Sequence, residues 1–207
     1  MLLEIHPENP QPRLIAQVIE CLQDGGIIIY PTDTVYGLGC DIMNNQAIEK
    51  ICRLKGIPSK KAQFSFICPD LSNISEYTRP FSSATYRLLK QSLPGAFTFI
   101  FNASNKVPKM LNSNKKTVGI RIPNNKIALS LIDGLGNPLI STSLKVDDDI
   151  NEYPTDPYHI EELYGNQVDI IIAGGIGGTV PSTIIDCTEN TPTLIRQGAG
   201  VLPYEID

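Results

Sequence analysis

Apolar residues recur at helical spacing over residues 10–24, where Leu14, Ile15, Val18, Ile19 and Leu22 fall on one face and Gly25-Gly26 stop the helix. An uninterrupted apolar run, Ile27-Ile28-Ile29, leads into Tyr30 and predicts a buried strand. The helical period returns over 45–55, with Ala47, Ile48, Ile51 and Cys52 inward. Residues 64–68 read as a strand. Residues 82–92 read as a helix closed by Pro94-Gly95. Strands are expected at 97–101 and 117–122, a helix at 125–133 ending at Gly134, and a short strand at 139–143. The acidic stretch 145–155, which carries Pro154, reads as a mobile loop. A helix at 157–164 and strands at 168–173, 182–186 and 193–196 complete the chain. Helices alternate with strands first, and strands cluster later. That order predicts an α/β fold built on one twisted, mixed parallel and antiparallel sheet with flanking helices around a concave cleft, not a clean parallel doubly wound sheet. No repeat, low-complexity segment or linker divides residues 1–207, so a single domain is expected.

Composition narrows the class. The chain has 207 residues, 42% of them hydrophobic, which is enough for a full core. The N-terminus has no basic segment leading into an apolar one, and no apolar run approaches the roughly 20 residues of a membrane helix. The five cysteines, Cys21, Cys40, Cys52, Cys68 and Cys187, include no C-x-x-C pair, which predicts reduced thiols in a cytoplasmic protein. The two histidines, His6 and His159, lie in the N-terminal tail and in a polar helix. They rule out a three-histidine metal site, and no metal-ligating residues are assigned. They also leave few candidates for a histidine-based hydrolase. A net charge of −5 argues against a surface coated for nucleic acid.

The densest polar chemistry follows the first strand, in Tyr30-Pro31-Thr32-Asp33-Thr34-Val35-Tyr36-Gly37-Leu38-Gly39. Ligands of α/β sheets sit beyond the carboxyl ends of strands. Thr32, Thr34 and Tyr36 offer donors and acceptors there, and Gly37 and Gly39 let backbone approach a ligand. A polar strand-to-helix turn is the plainer alternative. Gly174-Gly175-Ile176-Gly177-Gly178 matches no phosphate-binding fingerprint and reads as a flexible loop. After it, Ser182 and Thr183 follow a proline-fixed turn, placed either as ligand donors or as turn caps. Arg121 lies in an apolar strand, and alternation leaves open whether it faces solvent or a polar cleft; Arg196 poses the same question. Lys55 ends the second helix, where the dipole favours a cation whatever its role. Ser141-Thr142-Ser143 ends a strand, again where a site is expected.

Taken in order, YPTDTVYGLG, the helix ending in Lys55-Gly56, Leu93-Pro94-Gly95 with Thr98, VGIRIP, STS, GxxPSTIID and LIRQG resemble the YrdC/YciO family, and most of all its YciO branch. The resemblance spans the chain from the first helix to Gly200. It implies a YrdC-like domain and L-threonylcarbamoyladenylate synthesis, in which L-threonine, bicarbonate and ATP give the carbamoyl adenylate and pyrophosphate for transfer RNA modification. A carbamate oxygen attacks the α-phosphorus. The protein then has only to position the reactants and stabilise charge with Lys, Arg, hydroxyls and Mg²⁺. By resemblance Thr32, Thr34, Tyr36, Ser182 and Thr183 hold substrate, Ser141, Ser143 and Arg196 line the nucleotide region, and Lys55 and Arg121 are catalytic.

This chain departs from the family's synthases at two motifs. They carry K-x-R where Lys55-Gly56-Ile57 stands, and S-x-N where Ser141-Thr142-Ser143 stands. Their N-P-L segment is replaced near Lys60-Lys61-Ala62-Gln63. A missing arginine fork removes charge-assisted hydrogen bonds worth about 1.5–3 kcal/mol each. Two alternatives stand beside the synthase. One is a double-stranded RNA-binding module, for which Lys106, Lys109, Lys115 and Lys116 would start a basic patch and binding would be weak and salt-dependent. The other is a related adenylating enzyme that uses a different amino acid.

Overall fold

The computed structural model describes residues 1–108, 111, 116–144 and 153–203. Among them, ten strands form one sheet in the order β1-β8-β2-β3-β7-β4-β6-β5-β9-β10. The strands are β1 (Leu2–Glu4), β2 (Ile28–Tyr30), β3 (Gly37–Asp41), β4 (Ser65–Ile67), β5 (Phe97–Asn102), β6 (Thr117–Arg121), β7 (Leu139–Ser143), β8 (Ile170–Ala173), β9 (Thr183–Asp186) and β10 (Thr193–Arg196). The helices are α1 (Pro12–Gln23), α2 (Asn45–Leu54), α3 (Leu71–Tyr77), α4 (Ser83–Ser92), α5 (Lys126–Leu135) and α6 (Pro157–Tyr164). The sheet is mixed, as expected: β8 runs parallel to β1 and β2, while β3 is antiparallel to β2 and β7. β4 runs parallel to β6, and β5 is antiparallel to β6 and parallel to β9.

Alternation along the strands separates two faces. Ile29, Leu38, Cys40, Ile140, Phe66, Ile120, Phe99, Phe101 and Ile185 join one core with residues of α2, α3, α4 and α6, including Ile48, Ile51, Ile74, Leu89 and Ile160. The phenylalanines of β5 stack along it, with ring centroids 6.0 Å apart for Phe97–Phe99 and 6.5 Å for Phe99–Phe101. The opposite face is covered only in part. There α1, through Ile15, Val18 and Leu22, and α5, through Ile127, Leu131 and Ile132, bury Ile28, Tyr30, Ile67, Leu139, Ile170 and Ile172. Beyond them the same face of β4, β6, β5 and β9 presents Ser65, Gly119, Ile100 and Asp186, one row in register, and carries no helix among the described residues.

Three expectations need correction. The polar stretch after Tyr30 is not loop to Gly39: Gly37 opens β3, which hairpins onto β2 with Tyr30 opposite Gly37. Helix α5 does not end at Gly134 but runs to Leu135 and is closed by left-handed Gly136. Strand β1 and helix α3 were not anticipated, the first because three residues are too short for a pattern and the second because its seven residues bury only Ile74. Most of the expected loop at 145–155, residues 145–152, lies outside the described residues.

Candidate functional site

The open face meets the loop 31–36 at Arg121, which ends β6. Period-2 alternation puts Arg121 on the same face as Gly119, hence on the cleft side. It is nonetheless only 8% exposed, because the loop folds over it. Its Nη2 donates to Thr34 Oγ1 at 2.8 Å and Thr32 Oγ1 at 3.2 Å, and forms a short ion pair with Asp33. Asp33 Oδ2 also accepts from the Asn124 backbone N–H at 3.0 Å, which ties the loop to the start of α5. Thr32 Oγ1 donates to Val35 O at 2.7 Å and accepts from Thr34 N, an ST-turn that shapes the loop. Arg121 Nε is buried and has no hydrogen-bond partner among the described residues. A buried guanidinium N–H left unpaired is costly, and it is a donor awaiting an acceptor.

Around this group lies a cavity of about 200 Å³ lined by Thr32, Tyr36, Arg121, Ser141, Ser143, Ser182 and Arg196. Seven of the ten residues singled out from the sequence thus come together, although their motifs span residues 32–196. Ser182 Oγ lies 2.8 Å from Thr98 Oγ1, and Arg196 Nη2 donates to Ser182 O at 2.7 Å. Ser141 Oγ accepts a 2.7 Å hydrogen bond from Tyr30, whose hydroxyl is pushed up to about 12 chiefly by burial and therefore stays protonated. The cavity shares Gln63, Ser65, Thr98 and Ile184 with a second one of about 460 Å³, lined by Phe64, Ile100, Val107, Leu111 and Ile195 among others. Hydroxyls and guanidinium groups therefore occupy one end of a trough whose other end is mostly apolar.

The other three residues stand apart from the cavity wall. Thr34 lies behind it, on Arg121. Lys55 is not on the wall; its Nζ donates to Ser143 O at 2.9 Å and ties the end of α2 to β7. Thr183 is turned away. Its fully buried hydroxyl donates to Gly200 O at 2.7 Å and accepts from Gly198 N at 2.9 Å, so it anchors the C-terminal segment and is not brought to the cleft. The Tyr36 hydroxyl also points elsewhere, donating to Gly175 O at 2.7 Å, which leaves its ring and backbone on the wall. Gly37 and Gly39 have a further, structural reason. A Cβ at Gly39 would lie 3.0 Å from Tyr30 Cε1, and one at Gly37 3.1 Å from Ser141 Oγ and from the Tyr30 ring. The glycines make room for that ring, Gly39 also for the Ile140 carbonyl 2.6 Å from its Cβ position, and Gly37 in addition lines the cavity. Ile57, at the K-x-R arginine position, packs half-buried against the apolar core.

Asp33, Tyr30, Thr98, Gln63 and Tyr153 belong to the site or its support; Tyr30, Asp33 and Thr98 stood in the motifs quoted from the sequence, but none of the five was given a site role there. Asp33 carried a signal: a lone carboxylate in a hydroxyl-rich loop needs a cation once buried. Among the described residues no group of three His, Cys, Asp or Glu is placed to hold a metal ion. His6 Nδ1 accepts backbone bonds from Glu8 and Asn9, and His159 faces Glu162 at 3.1 Å on an exposed helix face. Of the expected basic patch, Lys106 pairs with Glu76 at 3.3 Å, Lys116 is exposed, and Lys109 and Lys115 lie outside the described residues. No helix among the described residues is long and apolar enough to cross a membrane.

Known proteins share both the sequence and this architecture. The uncharacterized protein YciO of Escherichia coli is 43% identical over 203 residues, 97% of each chain. Its crystal structure superposes with a TM-score of 0.90 over 97% of each chain. The threonylcarbamoyl-AMP synthase of Bacillus subtilis is 32% identical over 206 residues, which are 99% of this chain and 58% of the synthase. The crystal structure of P. abyssi Sua5 complexed with L-threonine gives a TM-score of 0.86 at 28% identity, over 96% of this chain and 57% of Sua5. Residues 20–198 match the family model Sua5_yciO_yrdC, described as telomere recombination. The chain therefore belongs to the Sua5/YciO/YrdC family.

Proposed function

We propose that this protein is a nucleotidyltransferase of the threonylcarbamoyl-AMP synthase type, joining L-threonine, bicarbonate and ATP for the modification of transfer RNA. The observation that carries the reading is the unpartnered Nε of Arg121, buried in a hydroxyl-lined cleft that continues into an apolar trough. The synthase names among relatives and the threonine bound by P. abyssi Sua5 support the choice of chemistry. The threonine nitrogen and bicarbonate form a carbamate with loss of water; a carbamate oxygen attacks the α-phosphorus, the bond from the α-phosphorus to the α–β bridging oxygen breaks, and pyrophosphate leaves. Arg121 meets the negative charge of carboxylate or phosphate, and Ser141 and Ser182 donate hydrogen bonds around it, while Thr32 holds Arg121 in place. Lys55 fixes the Ser143 wall through its bond to the Ser143 carbonyl, and Arg196 flanks the nucleotide end. The donor set of the cleft suits phosphate oxygens, not a bare cation. Mg²⁺ would enter on the triphosphate, held by phosphate and water, and would neutralise charge there.

Ile57 and Ser143 take the places of an arginine and an asparagine of the synthases, so turnover is proposed to be slow. Incubation with ATP, bicarbonate and each amino acid in turn, with assay of pyrophosphate and adenylate, tests the reading. Threonine-dependent release is expected. Release with another amino acid alone would move the protein to a related adenylating activity, and none with any would discard the enzyme.

A further inference from the structure

Tyr30 reaches two strands across the sheet to touch the cleft wall from behind. It ends β2, its side chain is 0% exposed, and it is not among the residues lining the cavity. β3 separates it from β7 and carries glycine at the two positions, Gly37 and Gly39, over which the ring passes. Any side chain on either glycine would press on the ring. The path ends at Ser141 Oγ, 2.7 Å from the Tyr30 hydroxyl. Packing alone explains the ring but not the hydroxyl: phenylalanine would fill the same groove without a buried polar atom. Tyr30 is the donor in this bond, so Ser141 Oγ spends a lone pair on it and keeps its own hydrogen for another acceptor. With one lone pair fixed from behind, the remaining O–H is confined to few directions, and Ser141 stands on the wall that holds Arg121.

We infer that Tyr30 is a positioning residue that orients the Ser141 hydroxyl as a donor toward the ligand of the cleft, an anionic nucleotide on the reading above, on which this inference rests. The role passes entirely through Ser141: Tyr30 touches no reacting atom.

Two measurements decide it, with Tyr30→Phe as the probe because the ring and its packing remain. The first needs no ligand. It compares the Ser141 side-chain rotamer, from crystals or NMR couplings, in the wild type and in Tyr30→Phe. A single rotamer in the wild type and a mixture in the variant supports the inference; the same single rotamer in both overturns it. The second is ATP affinity by calorimetry across Tyr30→Phe, Ser141→Ala and the double variant. Each single change is expected to weaken binding about 3- to 10-fold, the range of one neutral hydrogen bond, and the double variant to bind no more weakly than Ser141→Ala. Wild-type affinity in Tyr30→Phe with only a lower Tm, or a double variant that loses the product of both factors, overturns the positioning role and leaves the proposed function standing. If the wild type binds no ATP, the proposed function fails instead, and the rotamer comparison alone decides on Tyr30.

Discussion

The two faces of the central strands carry opposite chemistry on the same residues' neighbours. In β5, Phe97, Phe99 and Phe101 point into the core beneath α2–α4 and α6, whereas Thr98 and Ile100 point into the trough. In β6, Val118 and Ile120 are packed, whereas Gly119 and Arg121 face the cleft. One face has its apolar surface matched by four helices. The other is covered by α1 and α5 only over the β8–β2–β3–β7 side and bares small and polar residues beyond. Stability and ligand chemistry are thus separated by a single step along the strand, and adjacent substitutions should have unrelated consequences.

The strongest break of that contrast is Phe99→Ala. Phe99 is fully buried between two ring partners, and its loss should cost about 3–5 kcal/mol in chemical denaturation. Its neighbour Thr98→Ala removes only the 2.8 Å contact with Ser182 and should cost about 0.5–1.5 kcal/mol while changing ligand affinity. Equal stability losses from the two would refute the division of faces.

Arg121→Lys sharpens it next. The charge opposite Asp33 survives, but the planar fork and the Nε donor do not. Adenylate formation should fall at least ~10-fold, equal to about 1.4 kcal/mol, with a small change in unfolding midpoint.

This contrast marks how far the sequence could be read. The apolar runs Ile27–Ile29 and Ile170–Ile172 are buried on both faces and announce themselves, as do the amphipathic α1 and α2. β3 hid because Gly37 and Gly39 mimic a turn; their reason is the Tyr30 ring on the next strand, a tertiary fact with no local trace. Arg121 could not be placed because alternation names a face without saying what covers it. Thr183 and Ser182 are adjacent hydroxyls that alternation sends to opposite sides, one to Gly200 and one to the cleft. The ordered motifs identified the site's membership better than any pattern, while the roles of Asp33 and Thr98, both present in those motifs, emerged only from contacts.

The altered motifs offer a gain instead of a loss. Ser143→Asn places an amide on the cleft wall, and Ile57→Arg restores the synthase cation. Together they should raise threonine-dependent pyrophosphate release ~10-fold, about one recovered charged hydrogen bond. Ile57 rests on the core, so the arginine also forfeits that packing, about 1 kcal/mol in unfolding experiments. No gain from the pair would mean the surrounding wall has adapted to another ligand.

Alkali should act on both faces at once. Burial pushes Tyr30 and Tyr36 from 10.0 up to about 12, and Cys40, Cys68 and Cys187 from 9.0 up to about 12. Folding holds these groups in their protonated forms, so their contribution is complete below the unfolded values and is lost as pH rises through the folded ones. The urea midpoint should therefore decline from about pH 9 to 12, and Tyr30→Phe should flatten the part above pH 10. A midpoint that is flat or rising across that window would contradict the burial of these hydroxyls and thiols.

The central claim is that the open face makes an adenylate and that Arg121 stabilises it. Pyrophosphate release measured for the wild type and Arg121→Lys, with ATP and bicarbonate and with or without L-threonine, tests it most directly. Release by the wild type that requires threonine and drops at least ~10-fold in the variant is the predicted result. Release that ignores threonine, or that is equal in the two proteins, would contradict it.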